Sequence, residues 1–225
     1  MKNAQTSDLD GEIRSCTRCA SLLMQHPENP PGNVHGVEPR PVFSSAMRAP
    51  VMLVGQAPGL TEYQTRRPFS GPAGDSIRML LARCGISPAD FDRDVYQTSI
   101  VKCFPGRKKN RENWEDRQPS VTMQRNCSGF LERQIMLVQP SLIIAMGGTA
   151  TDAFDRLTGI RPRKLFDAVG TSTKLNGAKI VYLTHTSGSN RSLNAGNTEN
   201  IAKQAQSISI IASEIAALRR TAGVV

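Results

Sequence analysis

The ten residues "PVMLVGQAPG" (Pro50–Gly59) change character at their middle. Val51, Met52, Leu53 and Val54 form an unbroken apolar run, the pattern of a strand covered on both faces. Gly55, Gln56, Ala57, Pro58 and Gly59 then stop it in a tight turn. Three further segments share the character of "PVMLV" (50–54): "DVYQTSIVKC" (94–103), "SLIIAMG" (141–147) and "KIVYLTH" (179–185). Each is short, rich in β-branched residues and bounded by Gly, Pro, Asn or charge. Helical periodicity lies between and after them. "AGDSIRMLLARCG" puts Ile77, Leu80 and Leu81 on one face, and "RNCSGFLERQIMLVQP" does so for Phe130, Leu131, Ile135 and Leu137. "GGTATDAFDRLTG" and the long amphipathic "NIAKQAQSISIIASEIAALRR" follow. Alternating strands and helices imply an α/β protein: three α/β/α layers around a short, parallel, four-stranded sheet.

A chain of 225 residues has the length for one well-buried core, so residues 1–225 are expected to form a single domain. Residues 1–49 include a Pro-rich stretch expected to wrap over the core, and 104–122 read as a long charged loop. Hydrophobic residues make up 39% of the chain and aromatic ones 5%, which argues against a disordered polymer. No apolar run approaches the roughly 20 residues of a membrane helix, so no membrane partner is expected. The polar N-terminus lacks the apolar centre of a signal peptide, and the expected location is the cytoplasm. The net charge of +9 favours polyanionic partners.

In open parallel sheets ligands bind at the carboxyl ends of the strands. Three of the four segments end in reactive or permissive residues: Gly55-Gln56, Lys102-Cys103 and His185. The five cysteines are Cys16, Cys19, Cys84, Cys103 and Cys127. Cys16 and Cys19 form a CxxC pair that can clamp one metal, with Cys103 and Cys127 as its complement from across the fold. Four thiolates suit zinc or an iron–sulfur cluster, and spacing alone does not choose. Cys84, beside Gly85, reads as an ordinary buried cysteine.

Several groups then coincide with one family. "CTRC", "GQAPG", "RPFSGPAG", "VYQTSIVKCFP", Cys127, "LERQIMLVQPSLIIAMGGTA" and a strand ending in His185 follow in order over about three quarters of the chain. Together they resemble the iron–sulfur, family 4, branch of the uracil-DNA glycosylases. The resemblance implies a DNA repair enzyme that flips uracil out of DNA and hydrolyses its bond to the sugar, working as a monomer on uracil-containing DNA. It implies a 4Fe-4S cluster on Cys16, Cys19, Cys103 and Cys127. It also implies that the Gly55-Gln56-Ala57 turn positions water, that Phe69 stacks on the base, and that His185 contacts it. A donor such as His185 aimed at uracil O2 would stabilise the departing anion, with Gln56 placing the water. The glycine turn at Gly71 and Gly74 offers amides to a phosphate.

The chain departs from that family at four places. The family usually has Glu at the position of Gln56, and a related branch has Asp at that of Ala57, so the turn's apex holds no acid. Glu62 and Asp75 are nearby acids that read as solvated or capping residues. Ser99 stands where an Asn usually reads the uracil edge through two hydrogen bonds, which leaves other deaminated bases open as substrates. "HTSGSNRSLNAGN" (185–197) replaces the usual His-Pro-Ser; in it Ser187 and Asn190 suit phosphate, and Arg191 and Leu193 a wedge in the duplex. Within "GRKKNRENWEDR", Arg107, Lys108, Lys109 and Arg111 form a candidate phosphate-contacting arm, with Trp114 able to stack. The loop lacks the histidine by which another branch traps DNA covalently. The alternative reading is a weak or inactive homologue that binds damaged or single-stranded DNA through the same basic face.

Overall fold

The computed structural model describes residues 2–29, 33–45, 47–186 and 197–222. In chain order, α1 (Lys2–Arg14) and α2 (Ala20–Leu23) precede a small antiparallel pair, β1 (Pro27–Asn29) and β2 (Asn33–Gly36). Next come β3 (Val51–Gly55), α3 (Leu60–Thr65), α4 (Pro72–Arg83), α5 (Phe91–Asp94) and β4 (Val95–Ser99). A second antiparallel pair, β5 (Arg107–Asn110) and β6 (Asn113–Asp116), leads to α6 (Val121–Val138). The chain continues through β7 (Leu142–Met146), α7 (Gly148–Leu157), α8 (Leu165–Ala168), β8 (Ser172–Leu175), β9 (Ala178–Leu183) and α9 (Thr198–Ala222).

The central sheet runs β4-β3-β7-β9-β8. Its first four strands are parallel and coincide with the four apolar segments, although β4 stops at Ser99, four residues short of Cys103. β3 is buried at all five positions because alternate side chains enter different cores. Met52 and Val54 join Tyr96, Ile143, Ile180 and Tyr182 under α6 and α7, whereas Val51 and Leu53 join Ile144, Val181 and Leu183 under α4 and α9. Two covered faces explain the unbroken hydrophobic run.

The expected four-stranded sheet is corrected to five. β8 adds to β9 as an antiparallel edge through the turn Asn176-Gly177, both with positive φ. Asn-Gly between two short runs is the turn signal for such a hairpin, while Ser172–Leu175 is too polar to read as core. The segment 104–122 is likewise not loop throughout, since β5 and β6 pair from Arg107↔Asp116 to Asn110↔Asn113. Across that hairpin Lys108 and Glu115 form an ion pair of 3.0 Å. The pattern was hidden because these strands carry charge rather than apolar alternation.

The helices follow local chemistry. Gly71 caps α4 and Pro72 opens it, where a missing N–H costs nothing. Ser120 caps α6 by accepting from the Met123 N–H at 3.3 Å, and Gln139, in the left-handed region, ends it before Pro140. The N-terminal part closes over one end of the sheet. Leu9, Ile13 and Leu23 pack with Tyr63, Phe104, Met123 and Phe130 in a third core that also takes in the cysteines. No helix among the described residues is long and apolar enough to cross a membrane.

Candidate active site and the cysteine quartet

The parallel strands deliver their carboxyl ends to one side of the sheet. Gly55 pairs with Ser99, and Met146 with Leu183, so the residues that follow these strands meet around a single cleft of about 690 Å3. Gln56, Ala57, Phe69, Ser99, Gly147 and His185 all line it. Phe69 and the imidazole of His185, separated by more than a hundred residues in sequence, therefore share one cavity.

Phe69 is held there by close backbone packing. It adopts φ +49°, its carbonyl accepts from the Arg78 guanidinium at 2.6 Å, and Gly74 lies directly against that carbonyl. A Cβ on Gly74 would sit 1.7 Å from the Phe69 oxygen, so only glycine fits. The ring reaches back over the end of β3, where a Cβ at Gly55 would meet its Cζ at 3.1 Å. Arg78 also lies over the ring of Phe91, 4.4 Å from its centre, which fixes the guanidinium that holds the loop. The aromatic face is thus placed by rigid neighbours.

His185 is positioned from both sides. The Thr184 N–H donates to Gln204 Oε1 at 3.1 Å, and the Thr186 hydroxyl donates to the Ala73 carbonyl at 2.8 Å. Its ring packs on Gly147, where an added Cβ would stand 3.8 Å from Cδ2. Burial holds its pKa below the ordinary imidazole value, and the negative charge of Glu62 partly opposes that shift. The neutral ring is a donor at one nitrogen and an acceptor at the other. Ser99 is buried and donates its hydroxyl proton to the Val101 carbonyl at 2.7 Å, which leaves its oxygen free to accept.

Two acids in the cleft were poorly legible. Glu62 is neither solvated nor a simple cap: Oε2 accepts from the Gly59 N–H at 3.0 Å and Oε1 from the Gly71 N–H at 2.9 Å. It ties the two glycine turns together. Asp116, at the end of the hairpin, accepts from the Leu60 N–H at 3.2 Å and also lines the cleft. Three-residue spacing from Gly59 marks Glu62 as a capping residue, but no local signal connects Asp116 to a turn some fifty residues earlier. Gly71 lies in the cleft wall as the cap of α4, and Asp75 is exposed in that helix's first turn.

The candidate basic arm is the β5–β6 hairpin. Lys108, Lys109 and Arg111 are exposed on it, whereas Arg107 is half-buried, donates to the Trp114 carbonyl at 2.5 Å and lies 3.5 Å from Asp116. Ser187, Asn190, Arg191 and Leu193 lie outside the described residues.

On the far side of β4, Cys16, Cys19, Cys103 and Cys127 line one small cavity. Three of the four are buried, and Cys84 stands apart in the core under α4. Among the described residues no group of three or more His, Cys, Asp or Glu side chains is gathered so as to hold a metal ion. The four thiols surround a space rather than a point. Burial pushes the Cys103 thiol up to about 12, and the proximity of Cys127, Cys19 and Cys16 adds to the shift. Burial raises Cys127 as well, opposed by the backbone N–H and the ammonium of Lys102. Clustered cysteines of which three are buried would ionise together only beside a compensating cation, so the donor set fits a positively charged thiophilic group. Lys102 lies between this quartet and the cleft. Fully buried, it donates to the Thr98 hydroxyl at 3.0 Å and to the Ser99 carbonyl, both at the end of β4.

Comparison with known proteins matches this arrangement. The profile of the "Uracil DNA glycosylase superfamily" covers residues 41–208, the stretch that contains the whole parallel sheet and the cleft. The chain is 37% identical over 126 residues to a type-4 uracil-DNA glycosylase of Pyrobaculum aerophilum, covering 55% of this chain and 57% of the relative. It is 36% identical over 104 residues to the type-4 uracil-DNA glycosylase of Thermotoga maritima, covering 46% and 48%. It is 32% identical over 141 residues to that of Saccharolobus solfataricus, covering 62% and 54%. The chain spans about half the length of these curated relatives. With the sheet, the glycine turn and the histidine strand all inside the matched region, the chain belongs to the uracil DNA glycosylase superfamily.

Proposed function

We propose that this chain, acting as a monomer on uracil-containing DNA, hydrolyses the bond between uracil and deoxyribose and leaves an abasic site. The observation that carries the reading is the convergence of the Phe69 ring, the Gln56 turn, Ser99 and His185 in one cleft. A base in a duplex is out of reach, so the nucleotide must rotate into a cavity where an aromatic face replaces the lost stacking. Phe69 offers that face. As the glycosidic bond breaks, its electron pair leaves on uracil N1 and negative charge spreads to O2. The His185 N–H donates to O2 as that charge develops, and the sugar cation captures a water on its other side. Gln56 orients that water. The Ser99 oxygen accepts from the base edge, and Lys109, Arg111 and the exposed face of the hairpin meet phosphates.

The test is excision from an oligonucleotide carrying one uracil, compared with thymine and with hypoxanthine at the same place, in single and double strands. Uracil is expected to be released and thymine retained. Because the Ser99 hydroxyl is engaged with Val101, its contact with the base edge is single, so some hypoxanthine release is expected beside uracil. Binding without release of any base would favour a catalytically silent DNA-binding homologue instead.

The quartet of Cys16, Cys19, Cys103 and Cys127 is proposed to hold a 4Fe-4S cluster. Such a group would tie α1, the CxxC turn, the segment after β4 and α6 together, and it contributes structure rather than a chemical step. Protein purified without oxygen should be brown with broad visible absorbance, and Cys127→Ala should lose both colour and iron. A colourless wild type containing one zinc would overturn this assignment.

A further inference from the structure

The turn that should hold an acid carries Gln56 and Ala57, yet two carboxylates converge on its far end. A Cβ built on Gly59 would stand 2.7 Å from Asp116 Oδ2 and 2.9 Å from Glu62 Oε2. A side chain at this position would have to displace the two carboxylate tips. Their commitments differ. Each oxygen of Glu62 accepts a backbone N–H, from Gly59 and from Gly71, so this side chain is a clamp between two loops. Asp116 is held at one oxygen by the Leu60 N–H, and its other oxygen faces the Arg107 Nε at 3.5 Å, longer than a good hydrogen bond. It lies in the wall of the cleft, at the end of the β5–β6 hairpin.

We infer that Asp116 is the catalytic base of this cleft, holding the attacking water and taking its proton, in place of the acid missing from the turn. The inference rests on the proposed excision of uracil. The C1′–N1 bond breaks with its electron pair departing on uracil, and the water oxygen then forms its bond to C1′ of the sugar cation. The water proton passes to the Asp116 carboxylate, and from there to solvent. Burial raises the Asp116 carboxyl above the ordinary value, and the charge of Glu62 adds to this, against the Leu60 N–H and Arg107. The carboxylate is accordingly a stronger base than a free aspartate. The hairpin then has two duties on one scaffold: its exposed side faces phosphate, and its last residue reaches the reacting carbon.

Asp116→Asn tests this, because the amide oxygen can still accept from the Leu60 N–H. Single-turnover uracil release should fall about 100-fold, the lower range for a lost general base. Binding of a non-hydrolysable oligonucleotide carrying 2′-fluoro-deoxyuridine should stay within roughly threefold of wild type, as should the apparent KM. Asp116→Glu, which restores a carboxylate, should recover part of the rate. Wild-type excision with an Asp116→Asn rate within about threefold overturns the inference and leaves the proposed function standing. Equal losses of rate and of 2′-fluoro-DNA binding also overturn it, by showing that Asp116 only shapes the cleft. A wild type that releases no uracil removes the proposed function itself and the inference with it.

Discussion

Replacing His185 by alanine is expected to slow uracil release about 100- to 1,000-fold, equivalent to about 2.7–4 kcal/mol of transition-state stabilisation. Charge builds on uracil O2 only as the bond breaks, so a donor already aimed at that point acts on the transition state more than on the bound substrate. In the proposed reaction His185 would be that donor, and its neighbours Thr184 and Thr186 tie the strand end to α9 through Gln204 and to α4 through Ala73. The loss should therefore appear in the single-turnover rate rather than in affinity for 2′-fluoro-DNA. A drop confined to affinity would show that the imidazole merely shapes the cavity. Burial also sets the sign of its titration. The folded pKa lies below the ordinary 6.5, so the unfolded chain takes up the proton first as pH falls. This group contributes stability above its unfolded value and loses that contribution as pH falls through the folded one. An imidazole resonance followed by NMR should titrate below 6.5 in the folded protein.

Asp155→Ala is expected to destabilise the fold by about 3–5 kcal/mol, with the midpoint of thermal unfolding lowered by roughly 10 °C. Asp155 lies in α7 with its side chain entirely out of solvent. Its carboxylate accepts from Arg163 Nη2 at 2.7 Å, Nε at 3.1 Å and the backbone N–H at 3.0 Å. Burial opposes its ionisation, but these three donors outweigh it, and the carboxyl pKa falls below the ordinary value. Arg163 in turn lies 4.9 Å from the centre of the Tyr182 ring, so the pair joins α7 to β9. Removal of the acid leaves a half-buried guanidinium and a backbone N–H without their partner. Denaturant unfolding measures the cost. A change below about 1 kcal/mol would mean that water enters to replace the lost carboxylate.

Much of the architecture was visible in short apolar runs. Residues 51–54 and 142–146 are continuous hydrophobic stretches because both faces of a parallel strand are covered, which few other local structures demand. The two antiparallel additions were missed for the converse reason. Ser172–Leu175 and Arg107–Asn110 form edge strands with exposed side chains, and their pairing is written in turn residues and backbone hydrogen bonds rather than in hydrophobicity. In the cleft, Gln56, Phe69, Ser99 and His185 could be named because each stands beside a strand end or a glycine turn. Asp116 could not, since its relation to Gly59 and Leu60 exists only after the hairpin folds back over the turn.

The sequence alone determined the parallel sheet and the side on which a ligand would sit, since periodicity and chain direction carry that information locally. Tertiary structure decided which groups act on one another. It set Glu62 as a clamp between Gly59 and Gly71, Asp116 as an acid held at one oxygen by the Leu60 N–H, and Lys102 as a buried amine between the thiols and the end of β4. These are matters of burial and of distances across many residues, and electrostatic interactions depend on such distances rather than on position along the chain.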